Sequence, residues 1–226
     1  MQVKYTIKLI ALITTGVMFV FPMREMQHAQ YIIVLDPAGD AKRPARRIGD
    51  NFERGLTLQC AEKIKEIIEE RAPYFKVIIT RMPGDMVYDL QNASLSNRVH
   101  ADLFINLNFY SSQETKPTLF LYQFSYGNDF VSCQQGLTLH SYDQAYLINK
   151  ASTDAISQLF KKELSQPKYQ SLCTCAGPYN LPVKPLIGII APSIAYDIGL
   201  KNKESWSSYC EPLAQAIINV LTQVAP

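Results

Sequence analysis

Residues 31–64 read YIIVLDPAGDAKRPARRIGDNFERGLTLQCAEKI, and the fold turns on them. Tyr31 to Leu35 is a short, apolar, β-branched run closed by Asp36-Pro37, the pattern of a buried strand. A polar loop carrying Arg43, Arg46 and Arg47 follows. From about Asp50 to Arg71, Leu56, Cys60, Ile64, Ile67 and Ile68 recur at helical spacing. Glu62, Lys63, Lys65, Glu66, Glu69 and Glu70 form the opposite, wet face, and Pro73 ends the helix. Strand, loop and helix make half of a βαβ unit, and open α/β sheets place their ligands beyond the carboxyl ends of the strands. Asp36, Asp40 and Glu53 therefore fall where a site is expected. Asp50 and Glu53, three apart at the helix start, also fit a capping box.

The alternation continues. Lys76–Thr80 predicts a second strand, residues 90–97 a short helix, Leu103–Leu107 a third strand and Thr118–Phe124 a fourth. Residues 125–144 are polar and irregular. A second long helix spans about Tyr146 to Leu164, with Ile148, Ala151, Ala155 and Leu159 on one face. Residues 165–185 read as a loop, and Ile187–Ile190 and Ser193–Tyr196 as short strands, the latter ending at Asp197. A last helix begins at Glu211-Pro212 and turns Leu213, Ile217, Val220, Leu221 and Val224 inward. Strands alternating with helices predict one α/β domain with a mostly parallel sheet flanked by helices.

A chain of 226 residues, 47% hydrophobic and 19% charged, is a folded globular protein with ample core. Its net charge of +2 and the absence of a basic cluster interleaved with aromatics exclude a nucleic-acid reading. Arg43, Arg46 and Arg47 fit either an anionic ligand or a solvated loop. Residues 1–30 stand apart. Lys4 and Lys8 precede the apolar stretch Leu9–Phe21, the length of a signal-peptide core and short for a spanning helix. Gln27 stands where a cleavage site prefers a small residue, so the segment is either a removed leader or an uncleaved membrane anchor. The body, 31–226, is expected to be exported, periplasmic or extracellular. There, Cys133, Cys173, Cys175 and Cys210 are expected to form one or two disulfides of open connectivity, whereas Cys60 lies on the helix stripe as a core residue.

Six segments, taken in order, resemble the zinc-dependent N-acetylmuramoyl-L-alanine amidases, which cut the bond between glycan and stem peptide in bacterial cell walls. The family's first strand and Asp-Pro-Gly-His-Gly resemble Val34-Leu35-Asp36-Pro37-Ala38-Gly39-Asp40. Its Glu-x-x-Leu-x-Leu helix start resembles Glu53-Arg54-Gly55-Leu56-Thr57-Leu58, and its Val-x-x-Thr-Arg strand end Val77-Ile78-Ile79-Thr80-Arg81. An acidic, apolar stretch resembles Asp85-Met86-Val87-Tyr88-Asp89-Leu90. Ala101-Asp102-Leu103-Phe104-Ile105-Asn106-Leu107-Asn108 resembles the strand that carries the second histidine. Pro192 to Leu200 resembles the late segment that carries the catalytic glutamate.

The resemblance implies zinc held by two histidines and a glutamate, with a further glutamate as general base; such a zinc keeps an open position for water. Here the glutamate ligand is Glu53, but the histidines fall on Gly39 and Asn108, and the general base on Asp197. An arginine usual after the acidic stretch falls on Asn92. No cofactor is then expected, or zinc if the protein is active. His28, His100 and His140 read as surface residues. Asp36, Asp40, Glu53 and Asp197 leave an oxygen-rich calcium or magnesium site open. Arg81 is expected to pair with Asp85 or Asp89, and Asp36, Asn106 and Asn108 to bond loop amides or to line a groove. Three functions follow: a pseudo-amidase that binds peptidoglycan, muropeptides or an envelope partner; a hydrolase of the same amide bond with a rebuilt metal site; and a structural envelope protein.

Overall fold

The computed structural model describes residues 31–88, 90–126 and 141–224. Strand β1 (Tyr31–Pro37) is followed by a small hairpin, β2 (Arg47–Ile48) and β3 (Asn51–Phe52), which runs straight into helix α1 (Glu53–Arg71). Then come β4 (Phe75–Ile79), α2 (Gln91–Arg98), β5 (Leu103–Ser111), β6 (Thr118–Phe124), α3 (Lys150–Leu164), β7 (Thr174–Leu181), β8 (Ser193–Leu200) and α4 (Ser207–Val224). Six strands form one sheet in the order β4-β1-β5-β8-β6-β7. The pairs β1–β4, β1–β5, β5–β8 and β6–β7 are parallel, and β6 runs antiparallel to β8. The expected flanked, mostly parallel sheet is what forms.

Alternation along each strand sends its two sets of side chains to opposite faces. Ile33, Leu35, Ile105, Leu107, Leu119, Leu121, Ile194, Tyr196 and Ile198 share one face and pack under the long helices. On the other face Val34, Phe104, Phe124 and Ala195 meet Ala93 of α2 and Tyr146, Leu186 and Ile189. This second cover stops short of the carboxyl ends of β5 and β8. There Asn108, Tyr110 and Asp197, with Phe120 of the adjoining β6, are only half-buried, while Tyr122, opposite Ala195, packs against the cover.

Several elements differ from expectation. Helix α1 begins at Glu53; its N-cap is Phe52, with no side-chain cap, so the capping box with Asp50 does not form. Strand β7 lies inside the stretch read as a loop. Residues Ile187–Ile190 are not a strand: the Asn97 side chain donates to the Gly188 carbonyl (2.9 Å) and accepts from Ile190 N–H (3.0 Å), supplying the partners a ladder would have given. Asp197 sits within β8 and not at its end. Helix α4 starts at Ser207, leaving Pro212 inside it, where the ring omits one backbone bond. The eight residues Tyr142–Asn149 are 3-10 helix, so α3 proper starts at Lys150. Among the described residues Cys60, Cys173, Cys175 and Cys210 are buried free thiols, in place of the expected disulfides; Cys133 lies outside the described residues.

Candidate functional site

Asp36 is 5% exposed near the end of β1. Its carboxylate accepts from the Thr80 hydroxyl (2.7 Å) and from Asn106 Nδ2 (2.8 Å). Burial outweighs these bonds and pushes its pKa up to about 6. Buried Arg81 donates to the carbonyls of Pro37 (3.1 Å), Ala38 (3.0 Å) and Arg54 (2.7 Å), stapling the loop after β1 to the start of α1. The expected pair with Asp85 does not form, since Asp85 accepts instead from Met82 N–H (2.7 Å); Asp89 lies outside the described residues. Asp40 closes its own turn, accepting from Lys42 N–H (2.8 Å) and Arg43 N–H (2.7 Å). Burial opposes its charge, but the backbone N–H groups of Arg43 and Lys42 and the Arg43 side chain hold its carboxyl below the usual range.

Glu53 is 2% exposed. Both its oxygens are engaged by main-chain donors, Oε1 by Phe109 N–H (2.7 Å) and Oε2 by Arg46 N–H (3.0 Å). Burial pushes its pKa up against those bonds. The Arg46 guanidinium grips Asp197 with a fork, Nη1 to Oδ1 at 2.5 Å and Nη2 to Oδ2 at 3.1 Å, and Nη1 also donates to the Phe109 carbonyl at 3.2 Å. The bond to Asp197 raises the Arg46 pKa, and the charge of Glu53 adds to it. Asn108 turns its amide to Asn106 Oδ1 (2.5 Å) and the Tyr196 carbonyl (3.0 Å). The carboxylate at the resemblance's base position is thus bound to a guanidinium, whose charge also acts on Glu53, at the metal-ligand position, without a direct bond to it.

The donor set does not fit zinc. Among the described residues no three His, Cys, Asp or Glu side chains cluster to hold a metal. Gly39 has φ +75°, and a Cβ there would lie 2.8 Å from Arg54 Cβ and 3.0 Å from the Arg43 carbonyl, so no ligating side chain can stand at that position. The oxygen-rich alternative is not assembled either: Asp36 and Asp40 are each tied to separate partners, and Asp197 is tied to Arg46. His100 is exposed, just ahead of β5, while His28 and His140 lie outside the described residues.

Beyond Asp197 the face turns aromatic. In strand register Asp197 opposes Asn108 on one side and Phe120 on the other, and Tyr122 opposes both Ala195 and Tyr179. Ring centroids lie 6.1 Å apart for Tyr110–Phe120, 6.2 Å for Phe120–Tyr122 and 6.0 Å for Tyr122–Tyr179. Tyr110 reaches over β8 to donate to the Thr118 carbonyl (2.9 Å); a Cβ at Gly199 would lie 2.9 Å from its hydroxyl. The fourth strand was recognisably rich in aromatics, but Phe120 and Tyr122 were not assigned to the site, although they alternate with apolar Leu119 and Leu121. Sequence reasoning also met Arg46 only as one of a run. On the other side of Asp36, a cleft of about 300 Å³ is lined by Asp40, Tyr88, Asn92 and Lys184 among others.

The fold is that of N-acetylmuramoyl-L-alanine amidase catalytic domains. No protein-family model matches the chain, and no curated protein matches it in sequence. The catalytic domain of CwlV, an N-acetylmuramoyl-L-alanine amidase from Bacillus (Paenibacillus) polymyxa var. colistinus, superposes with a TM-score of 0.62 at 15% identity, over 86% of this chain and 98% of that one. The amidase AmiC2 of Nostoc punctiforme gives 0.60 at 15% identity over 85% and 97%. The CwlD amidase of Clostridioides difficile, solved in complex with the GerS lipoprotein, gives 0.58 at 15% identity over 86% and 98%.

Proposed function

We propose that the chain is an exported, cell-wall-associated amidase-like protein that binds peptidoglycan or muropeptides, alone or with an envelope protein partner, and does not hydrolyse them. Residues 1–30 serve as its leader or anchor. The observation that carries this reading is the guanidinium of Arg46, forked onto Asp197 and in the field of Glu53. A zinc that activates water must keep an open position, and a general base must be free to take a proton. In this arrangement Asp197 is committed to a group that does not give up its proton, and Glu53 is committed to main-chain donors. The fold shared with the amidases surrounds them, which supports a role at the wall.

Two measurements on the full chain test the reading. Purified peptidoglycan should retain the protein well above an unrelated exported protein, and dialysis against trace zinc should leave no bound metal, with a melting temperature indifferent to chelator. Retention no better than the control removes the binding role. About one zinc per chain, with muropeptide release that disappears in Glu53→Ala, would make the protein a working hydrolase instead.

A further inference from the structure

A cleft of about 370 Å³ opens between the loop after β1, the first turns of α1 and the loop after β4. Two guanidinium groups line it, those of Arg54 and Arg81. Arg81 is 5% exposed. It spends Nε and Nη2 on three main-chain carbonyls, which leaves Nη1 without a partner among the described residues. That nitrogen is not sealed in by protein, and the cleft is the opening that Arg81 lines. Arg54 gives Nη1 to the carbonyls of Asp40 (3.1 Å) and Ala41 (2.8 Å) and holds its Cζ 5.9 Å from the centre of the Phe52 ring. Its Nε and Nη2 have no partner among the described residues.

A charge taken out of water is ordinarily matched by an opposite one. Here two neighbouring cations lack a carboxylate partner. Burial first, with the charge of Arg54 adding to it, holds the Arg81 guanidinium below its usual pKa range, and the charges of Asp36, Asp40 and Asp85 oppose this without offsetting it. Those acids are engaged elsewhere: Asp36 by Thr80 and Asn106, Asp40 by its own turn and Arg43, and Asp85 by Met82 N–H. Arg54 also stands in the first turn of α1, where the helix dipole favours an anion and opposes a cation, and the N-cap Phe52 supplies no side-chain cap.

One carboxylate would neutralise only one of the two arginines. A phosphomonoester carries about 1.5 to 2 negative charges at neutral pH, and its oxygens match the guanidinium fork. The cleft also has room for an organic group: Leu58 and Pro83 give it an apolar wall, and a Cβ at Gly55 or Gly84 would meet nothing within 4 Å. We propose that Arg54 and Arg81 form an anion site for a small phosphomonoester, with the phosphate between the two guanidinium groups and the organic part against Leu58 and Pro83. The proposal goes beyond the wall-binding reading and does not rest on it, since the cleft shares no lining residue with the Arg46–Asp197 pair.

The test titrates the full chain with phenyl phosphate by calorimetry in a phosphate-free buffer, with melting temperature followed in parallel. Saturable one-site binding is expected, with a melting temperature that rises with ligand and an affinity that falls with added salt. Arg54→Gln should weaken binding about tenfold or more. Gly55→Glu keeps both arginines and should abolish binding, because the introduced carboxylate competes for them. Helix propensity and the helix dipole both favour that change, so the unliganded protein should melt no lower than the parent. Gly55→Glu decides the matter if Arg54→Gln fails to fold. Benzoate, with one charge on the same ring, should bind about tenfold more weakly than phenyl phosphate. Absence of saturable binding, unchanged affinity in either folded variant, or benzoate binding as tightly as phenyl phosphate overturns the proposal.

Discussion

Glu53, at the resemblance's metal-ligand position, serves here as architecture. Its two oxygens satisfy the N–H groups of Phe109 and Arg46, tying β5 to the loop ahead of α1. Glu53→Gln leaves one of those donors facing an NH₂ group. It should lower unfolding free energy by about 1.5–3 kcal/mol, read from the denaturant midpoint; an unchanged midpoint would contradict the assignment. Asp36 makes a pH prediction. An acid whose pKa is higher folded than unfolded binds its proton more tightly when folded, so its contribution favours folding at low pH and fades as pH rises. A rise from 3.8 to about 6 corresponds to about 3 kcal/mol lost across that window. The stability profile of Asp36→Asn should lack this decline between about pH 4 and pH 6; parallel profiles would sink the prediction. The absent histidines at 39 and 108 were plain in the sequence. Arg46 was not, since nothing local says which of three neighbouring arginines meets an acid 151 residues away.

At the scale of elements, legibility followed local pattern. Strands β1, β4 and β6 and helix α1 declared themselves because their periodicity is strong and their ends are marked by Pro or charge. Strand β7 did not: Cys-Ala-Gly-Pro reads as a turn, and such a sequence forms a strand only because β6 offers it a partner at the sheet edge. Ile187–Ile190 failed in the opposite sense, apolar enough for a strand but bonded by Asn97. The pairing of α1 with α4 brings Cys60 and Cys210 together, Sγ to Sγ at 3.3 Å. Neither thiol was expected to meet the other. The Cys210 thiol and burial together push the Cys60 pKa well above the usual thiol range. A mild thiol oxidant should join them, and closing a loop of that span stabilises by about 5 kcal/mol on the chain-entropy account. Peptide mapping without reductant should return a cross-linked fragment containing both residues. Full alkylation of both after oxidation and unfolding would exclude the bridge.

For the whole molecule, the order of six short resemblances carried more information than any one of them, and the shared fold is reached at 15% identity. Alternation of strand and helix was enough to foresee the flanked, mostly parallel sheet. Reversal of β6 was not foreseen, because strand direction is decided by pairing across the sheet and leaves no trace in a single segment. The aromatic patch beside Asp197 went unassigned for the same reason: its rings come from β5, β6 and β7, and only the sheet assembles them. Arg46 has one more consequence at this scale. Its positive charge is made with the polypeptide at synthesis and arrives in place when the chain folds. It cannot be leached by a scavenger, starved by a poor medium or replaced by a competing ion, so the electrostatic character of this groove stays constant wherever the chain travels.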